Sequence, residues 1–401
     1  MQTLLNKWRA SINKQYFWNA YSEFLNKIAM SLTKQDLSIK TKIDNRLQCI
    51  ANVLFLNASF IDSPGLLDGK MGIAIFFYNY SRYMGNKIFE DYASEFIDEI
   101  YEEINTSTPI NFYNGITGIG WGIEYLISNR FVQADTDDTL IEIDNSVYSY
   151  SLLRHLLLDN GNDMFGYGHY FISRLSGHED DDDNLNTLFK KQHLIYLIDD
   201  CERILAQKKY LDFNIDRLST STINSFIWFL LEMHRLGIFP FKVEKLYKVL
   251  PGYIEECLDV EKKSSLTDQL VAFTRAVIPN VNDIKTKNKF SVIVNNYLNK
   301  GYGAVAAGEE LVNSFICSAW QRVVYGTYCF TNNKNTHPRT SFEDVFAIID
   351  NEEDWNKRLD GLNKNNIGLT GLAGLGLGLL AESGGLKAES REQLTIINER
   401  F

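Results

Sequence analysis

Residues 367–380 read IGLTGLAGLGLGLL, which has the form G-x-x-G followed by a dense apolar run. The same form recurs in residues 66–78 (LLDGKMGIAIFFY) and 112–126 (FYNGITGIGWGIEYL), and a weaker copy occupies residues 164–175 (MFGYGHYFISRL). The length and apolar density of these segments are typical of helices rather than of strands flanked by turns. They therefore predict buried helices that each begin near a glycine.

Amphipathic segments alternate with these apolar ones. Residues 89–104 (FEDYASEFIDEIYEEI) place apolar side chains at helical spacing and carry Asp and Glu on the other face, and residues 137–159 and 193–205 behave alike. A helix that is apolar all round must be buried on most sides, whereas an amphipathic one can form an outer layer. Inner segments begin near residues 66, 112, 164, 221, 265, 309 and 367. The alternation predicts an all-α fold, an α/α toroid with seven inner and about seven outer helices.

No stretch rich in Pro, Gly and Ser divides the chain of 401 residues. We predict one toroid domain over residues 61–401 and an N-terminal helical segment, residues 1–60, that packs on it. The acidic run HEDDDDN (178–184) is expected to be a solvated loop, because a calcium loop needs alternating ligands and a glycine turn. The polar stretch from about 331 to 365 is expected to be irregular.

Composition narrows the class of protein. The apolar fraction of 45% excludes bulk disorder, and six prolines favour long helices. The net charge of −11 disfavours nucleic acid as a partner. No apolar run reaches the roughly 18 residues of a membrane span, and the N-terminus does not read as a signal peptide. We therefore predict a cytoplasmic protein in which the five scattered cysteines are reduced thiols.

A glycine near the start of an inner helix has two physical uses. It lets neighbouring helices approach closely, or it exposes backbone N–H groups to a central cavity as an anion-friendly helix start. The candidates for either role are Gly69, Gly72, Gly115, Gly118, Gly371 and Gly374. Close packing is the favoured interpretation, and both remain open at this point.

The three glycine motifs resemble, in the right order, those of lanthionine synthetase C-like proteins, the lanthipeptide cyclases. The likeness spans roughly residues 60 to 380 and is weak from 205 to 330. The resemblance implies an α/α toroid. In active members of that family, zinc held by two cysteines and a histidine activates peptide cysteine thiols for addition to dehydrated Ser or Thr residues.

This sequence departs from that ligand set. The fifth inner segment, SSLTDQLVAFTRAV, has no cysteine, and in the sixth Cys317 is followed by Ser318 rather than histidine. Without thiolate and imidazole ligands such a zinc has nothing to hold it. We predict that the protein binds no catalytic zinc and needs no cofactor.

The positions expected for acid–base chemistry depart as well. Asn111 stands where the family often has an aspartate, and an amide cannot exchange a proton near pH 7. The dipeptide Phe165-Gly166 most nearly matches the family's His-Gly, and His169 follows three residues later. Asp68 directly precedes Gly69, where a capping carboxylate is the plain explanation. The cavity candidates are therefore Asp68, Asn111 and His169, with no assigned catalytic residue.

Three functional hypotheses follow. The first is a degenerate lanthionine synthetase C-like protein, a pseudoenzyme that binds a peptide or a partner protein in a ribosomal peptide maturation pathway. The second is an enzyme on a similar toroid that uses paired carboxylates, as glycoside hydrolases and lyases do, with candidates Asp68, Glu124, Asp163 and Glu232. The third is an active cyclase with unrecognised metal ligands. The sequence names neither the substrate nor the oligomeric state.

Overall fold

The computed structural model describes residues 39–105, 107–153, 161–176, 185–207, 220–260, 264–299, 308–325 and 342–384, and every structural statement below concerns those residues. Fifteen α-helices and two short 3-10 turns, with no β-strand, make up the regular structure in these ranges. The first eight helices are α1 (Ile39–Asn57), α2 (Lys70–Met84), α3 (Lys87–Glu103), α4 (Ile116–Ser128), α5 (Thr136–Leu153), α6 (Gly161–Ser176), α7 (Leu185–Gln207) and α8 (Thr220–Arg235). The others are α9 (Pro240–Val260), α10 (Ser265–Val277), α11 (Ile284–Asn299), α12 (Glu309–Tyr325), α13 (Phe342–Asp350), α14 (Glu352–Asp360) and α15 (Leu372–Glu382).

Seven of these helices form a closed inner ring. In order around the ring they are α2, α4, α6, α8, α10, α12 and α15, and α15 packs back on α2. Each inner helix carries an outer one: α3 on α2, α5 on α4, α7 on α6, α9 on α8, α11 on α10, α13 on α12, and α1 on α15. The fold is an α/α toroid of seven inner and seven outer helices with α14 appended, and the predicted fold class is confirmed.

The alternation of inner and outer helices along the chain determines the direction in which the inner helices run. Because an outer helix returns the chain after every inner one, all seven inner helices run the same way and their N-terminal ends gather at one end. The outer helix α1 comes first in sequence, yet it packs on the last inner helix. Its Arg46 pairs with Glu352 at 2.7 Å and stacks over the Trp355 ring, so both ends of the described chain are tied together. The domain boundary predicted at residue 60 stays a prediction.

Local sequence explains where several helices begin and end. Asn86 caps α3 by accepting a hydrogen bond from the Ile88 N–H, and α2 ends at Gly85, whose φ of 62° favours glycine. Ser264 and Thr267 form a reciprocal capping box at the start of α10. Each cap satisfies backbone groups that the helix cannot satisfy itself.

The irregular loop predicted for residues 331–365 is wrong over most of its described part. Residues 342–350 and 352–360 form α13 and α14. Asn351 caps α14, accepting from the N–H groups of Glu353 and Asp354, and acidic residues in the first turn favour the helix N-terminus. Because the segment is polar overall, its composition did not indicate the short amphipathic helix α13 or the well-capped helix α14 that follows it. Residues 326–341 and the acidic run 178–184 lie outside the described residues.

Candidate functional site

Three glycine loops meet at the end of the toroid where the inner helices begin. They are residues 61–69 before α2, 109–115 before α4 and 366–371 before α15. The Leu67 N–H donates to the Tyr113 carbonyl at 2.9 Å, and the Thr370 N–H donates to the Leu67 carbonyl at 3.3 Å. Backbone hydrogen bonds thus join the three loops in a row, which we call the glycine-loop end.

The first N–H groups of these helices are already used. The Lys70 N–H donates to the Ser63 carbonyl at 2.9 Å, that of Ile116 to Pro109 at 2.8 Å, and that of Leu372 to Asn366 at 3.0 Å. Each loop therefore folds back over its own helix and satisfies donors that a bound anion would otherwise need. This pattern favours the packing role of the glycines over the anion-binding role.

The six candidate glycines stand where a side chain has no room. Gly69, Gly115 and Gly371 are the N-cap residues of their helices, and each has a negative φ, so backbone freedom is not the reason for glycine. A Cβ on Gly69 would lie 2.5 Å from the Ser63 carbonyl oxygen. Cβ atoms on Gly72, Gly115, Gly118, Gly371 and Gly374 would come still closer to loop carbonyl oxygens. The tight return of the loop over the helix requires glycine at these places.

A small polar cluster lies at the glycine-loop end, and we call it the Asp68 cluster: Asp68, Tyr113, Cys317 and Thr370. The Asp68 carboxylate accepts a hydrogen bond from the Thr370 hydroxyl. Tyr113 is partly exposed, and its pKa is raised by burial of the ring and by the nearby Cys317 and Asp68 groups. The cluster therefore brings a carboxylate, a phenol, a thiol and a hydroxyl from four parts of the chain to one place.

Asn111 has a structural role near this cluster, because its side chain hydrogen-bonds to the backbone of the loop that carries Tyr113. Its side-chain oxygen accepts from the Asn114 N–H at 2.9 Å, and the Asn114 side chain accepts from the Asp68 N–H at 3.3 Å. The two asparagines thus fix the loop that carries Tyr113 against the loop that carries Asp68. The Asn111 amide therefore holds the loop in position.

His169 lies elsewhere, among aromatic rings inside the toroid. Its ring stacks on Trp228 with centroids 4.0 Å apart and lies 5.0 Å from the rings of Phe112 and Tyr325. The side chain is buried, and burial lowers its pKa to about 3. Its Nδ1 has no hydrogen-bond partner within the described structure. The imidazole is therefore neutral near pH 7 and packs as an aromatic residue.

The carboxylates proposed for glycosidase-like chemistry are separated and engaged. Glu124 is buried and pairs with Arg174 at 2.8 Å, and Glu232 is buried and pairs with Arg235 at 2.8 Å. Glu124 lies about 12 Å along α4 from its first residue, away from the glycine-loop end. Asp163 lies in the first turn of α6, and its side chain is outside the described structure. The described carboxylates of this set are therefore used in ion pairs within the fold and are not gathered at one place.

The donor set for a zinc of the family's kind is incomplete in the described ranges. No group of three His, Cys, Asp or Glu residues that could hold a metal ion occurs there. Cys317 has Asp68 and the Tyr113 phenol in its neighbourhood, and α10 contributes neither Cys nor His. The residues that the structure describes do not fit a thiolate–imidazole zinc site. Cys329 and His337 lie outside the described residues, so the prediction of no catalytic zinc stays a prediction.

Sequence reasoning missed Tyr113, Thr370 and the placement of Cys317. Tyr113 and Thr370 each stand within two residues of a glycine motif that the sequence did identify. Their positions just before glycine-started inner helices could have identified them, because the loops that precede parallel inner helices all lie at the same end of the toroid. Cys317 offered no such signal, since no glycine motif precedes α12.

Comparison with known proteins agrees with the glycine motifs. No curated protein matches the chain. None of the helices in the described ranges is both long and apolar enough to cross a bilayer. The family model described as lanthionine synthetase C-like protein matches residues 61–148, which contain two of the three glycine loops and helices α2 to α4. The resemblance is confirmed, and over residues 61–148 this chain is similar to the lanthionine synthetase C-like family.

Proposed function

We propose that this toroid binds a peptide, or a partner protein, of a ribosomal peptide maturation pathway, and that it does so without zinc-dependent cyclisation. The proposal places the bound segment at the glycine-loop end and the protein in the cytoplasm. Recognition there would use the carboxylate, phenol and hydroxyl of the Asp68 cluster as hydrogen-bonding groups and the Tyr113 ring as an apolar contact.

One observation carries the proposal. The Asp68 cluster occupies the end of the toroid where the inner helices begin, and its groups are a carboxylate, a phenol, a hydroxyl and one thiol. Tyr113 exposes 44% of its surface there, and a half-exposed aromatic ring with a polar tip is a typical anchor for a bound peptide. The cluster is thus suited to binding, and it lacks the second thiolate and the imidazole that thiol activation by zinc requires.

The first test separates binding from cyclisation. A cysteine peptide carrying dehydrated Ser or Thr residues is mixed with the protein, and unreacted thiols are counted by alkylation and mass spectrometry. We expect binding by calorimetry and no loss of alkylatable thiol. Tyr113→Ala should weaken binding about tenfold, because truncating an aromatic anchor typically costs more than 1 kcal/mol. Loss of thiol at a catalytic rate would contradict the proposal.

The second test concerns the metal itself. After dialysis against a weak chelator, the purified protein should hold far less than about one equivalent of zinc, as expected without a thiolate–imidazole set. Cys317→Ala should leave that value unchanged. One equivalent in the native protein that disappears in Cys317→Ala would restore the cyclase hypothesis.

A further inference from the structure

Charge is distributed unevenly around the toroid. The outer helix α3 has seven Asp or Glu residues and one lysine, whereas the outer helix α11 has three lysines and no Asp or Glu. The two helices belong to the first and the fifth of the seven helix pairs, so they lie on nearly opposite sides of the ring. The whole chain has a net charge of −11, yet the side of the toroid that α11 covers is locally positive.

Exposed lysines and exposed apolar side chains share the outer face of α9 and α11. On α11, two apolar residues are 73% and 52% exposed, and two exposed lysines lie between them. On the neighbouring α9, an apolar residue that is 66% exposed is followed two turns later by an exposed lysine. Helical spacing turns these side chains to the same side. We call them the α9–α11 face: Phe241, Lys248, Ile284, Lys285, Lys289 and Val292.

A carboxylate joins the starts of the two helices. Glu244 of α9 accepts hydrogen bonds from the N–H groups of Asn282 at 3.1 Å and Asp283 at 3.2 Å. Phe241 lies one turn before Glu244, and Ile284 directly follows Asp283, so the two most exposed apolar residues of the face flank this contact. The face is therefore one surface formed by both helices.

The second nearby carboxylate, Asp283, is also used by the fold. It accepts from the N–H of Thr286 at 2.8 Å and from the Thr286 hydroxyl at 2.6 Å. These hydrogen bonds lower the pKa of Asp283, and the nearby charges of Lys248 and Lys285 lower it further. The face and the rest of α11 together thus set four lysines against the two carboxylates of Glu244 and Asp283.

Further charges around the face are paired or lie beyond it. Lys242 and Lys245 of α9 pair with Asp199 and Glu202 of α7, so they add no net charge. The other acidic residues of α9 begin at Glu255, about 10 Å along the helix from the lysine of the face on α9. The next outer helix in the ring, α13, has two acidic residues in its first turn. The positive region therefore ends before α13.

This mixture of groups fits the surface of an anionic bilayer. Lysines attract anionic lipid headgroups, and exposed apolar side chains enter the boundary between headgroups and acyl chains. A nucleic acid would use the lysines but would leave Phe241, Ile284 and Val292 beside phosphates. A protein partner is expected at a contiguous apolar patch, whereas here lysines stand between the apolar residues.

We propose that the α9–α11 face docks on an anionic membrane surface, with its apolar residues at the headgroup boundary and its lysines on lipid phosphates. The inference goes beyond peptide recognition and does not rest on it. Because α9 and α11 lie on the outside of the ring, the toroid would rest on its side and leave the glycine-loop end accessible. The acidic α3 would then face away from the membrane, which favours this orientation.

The probe is a set of lipid vesicles, and the measurement is the partition of the full chain to them by co-sedimentation. One set has equal parts of phosphatidylcholine and phosphatidylglycerol, and its matched control has phosphatidylcholine alone. We expect the protein to bind the anionic vesicles, to bind them more weakly as salt rises, and not to bind the neutral ones. Equal binding to both sets, or binding to neither, would overturn the proposal.

Two variants remove the two kinds of group separately. Lys285→Glu with Lys289→Glu should lower the partition coefficient at least about tenfold, because each basic residue near an anionic surface adds to the attraction. Phe241→Ser with Ile284→Ser should lower it at least about threefold, because buried apolar area contributes to interfacial binding. An unchanged midpoint of thermal unfolding checks the fold of both. Lys285→Gln with Lys289→Gln repeats the test with a smaller change in charge.

The control variant is Lys40→Glu with Lys357→Glu, which changes the net charge equally at exposed lysines of α1 and α14. It should change the partition coefficient less than about twofold, as expected for surface positions outside the site. An equal loss in this control would show that the net charge governs binding and would overturn the proposal. Tyr113→Ala should leave vesicle binding intact, so failure at the α9–α11 face and failure at the glycine-loop end are distinguishable.

Two further outcomes would assign the face to another occupant and also overturn the proposal. A DNA duplex that binds more tightly than the anionic vesicles, and loses affinity in Lys285→Glu with Lys289→Glu, would show a nucleic-acid surface. Polyglutamate that binds more tightly than the vesicles, with the same loss, would show a surface for an acidic protein segment.

Discussion

The inner helices fall into two groups that differ in what fills the space between them. In the first group, α15, α2, α4 and α6, glycines of one helix face side chains of a neighbouring helix in the ring. Gly376 faces the ring of Phe76, and a Cβ on Gly120 would lie 2.6 Å from the ring of Tyr170. In this group the helices approach so closely that even a methyl group has no room.

The second group, α8, α10 and α12, packs through side chains instead. The Tyr325 ring lies 5.5 Å from Trp228 and 5.8 Å from Phe273, and Asn224 donates to the Gln269 side chain at 2.9 Å. Large side chains can be exchanged for others of similar volume, whereas a glycine in a closed space cannot. This difference explains why recognisable motifs, and the family match, lie in the glycine group.

The glycine group also holds a buried ion pair at Arg174, and breaking it should have the largest effect. Arg174 lies on α6, is fully buried, and pairs with Glu124 of α4 at 2.8 Å and with Asp144 of α5 at 3.0 Å. Arg174→Met leaves both carboxylates buried without their partner. We expect the free energy of unfolding to fall by about 3–5 kcal/mol, measured by urea denaturation.

A control and a rescue make this test specific. Lys364→Met removes the exposed ion pair with Asp62 and should leave the stability nearly unchanged, because solvent screens such a pair. Adding Glu124→Gln and Asp144→Asn to Arg174→Met should recover part of the loss, because neutral amides are cheaper to bury than unpaired charges. If Arg174→Met lost no more stability than Lys364→Met, or if the added amides recovered none of the loss, the buried ion pair would not be the reason for the destabilisation.

The next test compares the two groups directly. Gly374→Ala adds one carbon beside the Leu369 carbonyl oxygen and the Ile316 side chain, and should destabilise the protein by about 1–3 kcal/mol. Phe273→Leu, in the side-chain group, changes more atoms but should destabilise by a similar amount or less, because a branched apolar residue can refill the space. Thermal unfolding of both variants measures the difference.

Gly252 supplies the matched control for the alanine. It lies inside α9, and a Cβ there would meet no atom within 4 Å. Gly252→Ala should stabilise the protein by roughly 0.5–1 kcal/mol, since alanine has the higher helix propensity. If Gly374→Ala behaved like Gly252→Ala, close packing would not be the reason for the glycine at position 374.

The sequence predicted the ring well because the information for it is local. The apolar helices that begin at a glycine, and the amphipathic helices that alternate with them, can each be recognised from a short stretch of sequence. Counting seven such pairs was enough to predict a closed ring. The helix α14 was missed because its stability comes from the Asn351 cap and first-turn acids rather than from an apolar stripe. Local polarity was mistaken for irregularity.

The candidate site was less predictable because its parts come from distant repeats. Asp68 could be picked out from its glycine, but its neighbours Tyr113 and Cys317 belong to the loop before the second inner helix and to the sixth inner helix. Only closure of the ring brings these groups together. Helical spacing allowed His169 to face inward, yet its surroundings, Trp228 and Tyr325, depend on how α6, α8 and α12 meet.

His169 probes the aromatic packing through pH. Burial lowers its native pKa to about 3, against 6.5 for an unhindered histidine. Above pH 6.5 the imidazole is neutral in both states and pH has no effect through it. Below pH 6.5 the His169 imidazole binds a proton in the unfolded chain but stays neutral in the native state, so stability is lost as the pH falls from 6.5 toward 3.

The variant His169→Phe keeps a ring against Trp228 and removes the titrating group. Each pH unit below the unfolded pKa is worth about 1.4 kcal/mol, so the native protein should lose roughly 1–2 kcal/mol more than His169→Phe between pH 7 and pH 5. Urea denaturation of both proteins at the two pH values gives this difference, because the other titrating groups are common to both and cancel. An equal loss in the two proteins would mean that His169 is protonated in the native state at pH 5. The rings of His169, Trp228 and Tyr325 would then be open to water rather than buried against one another.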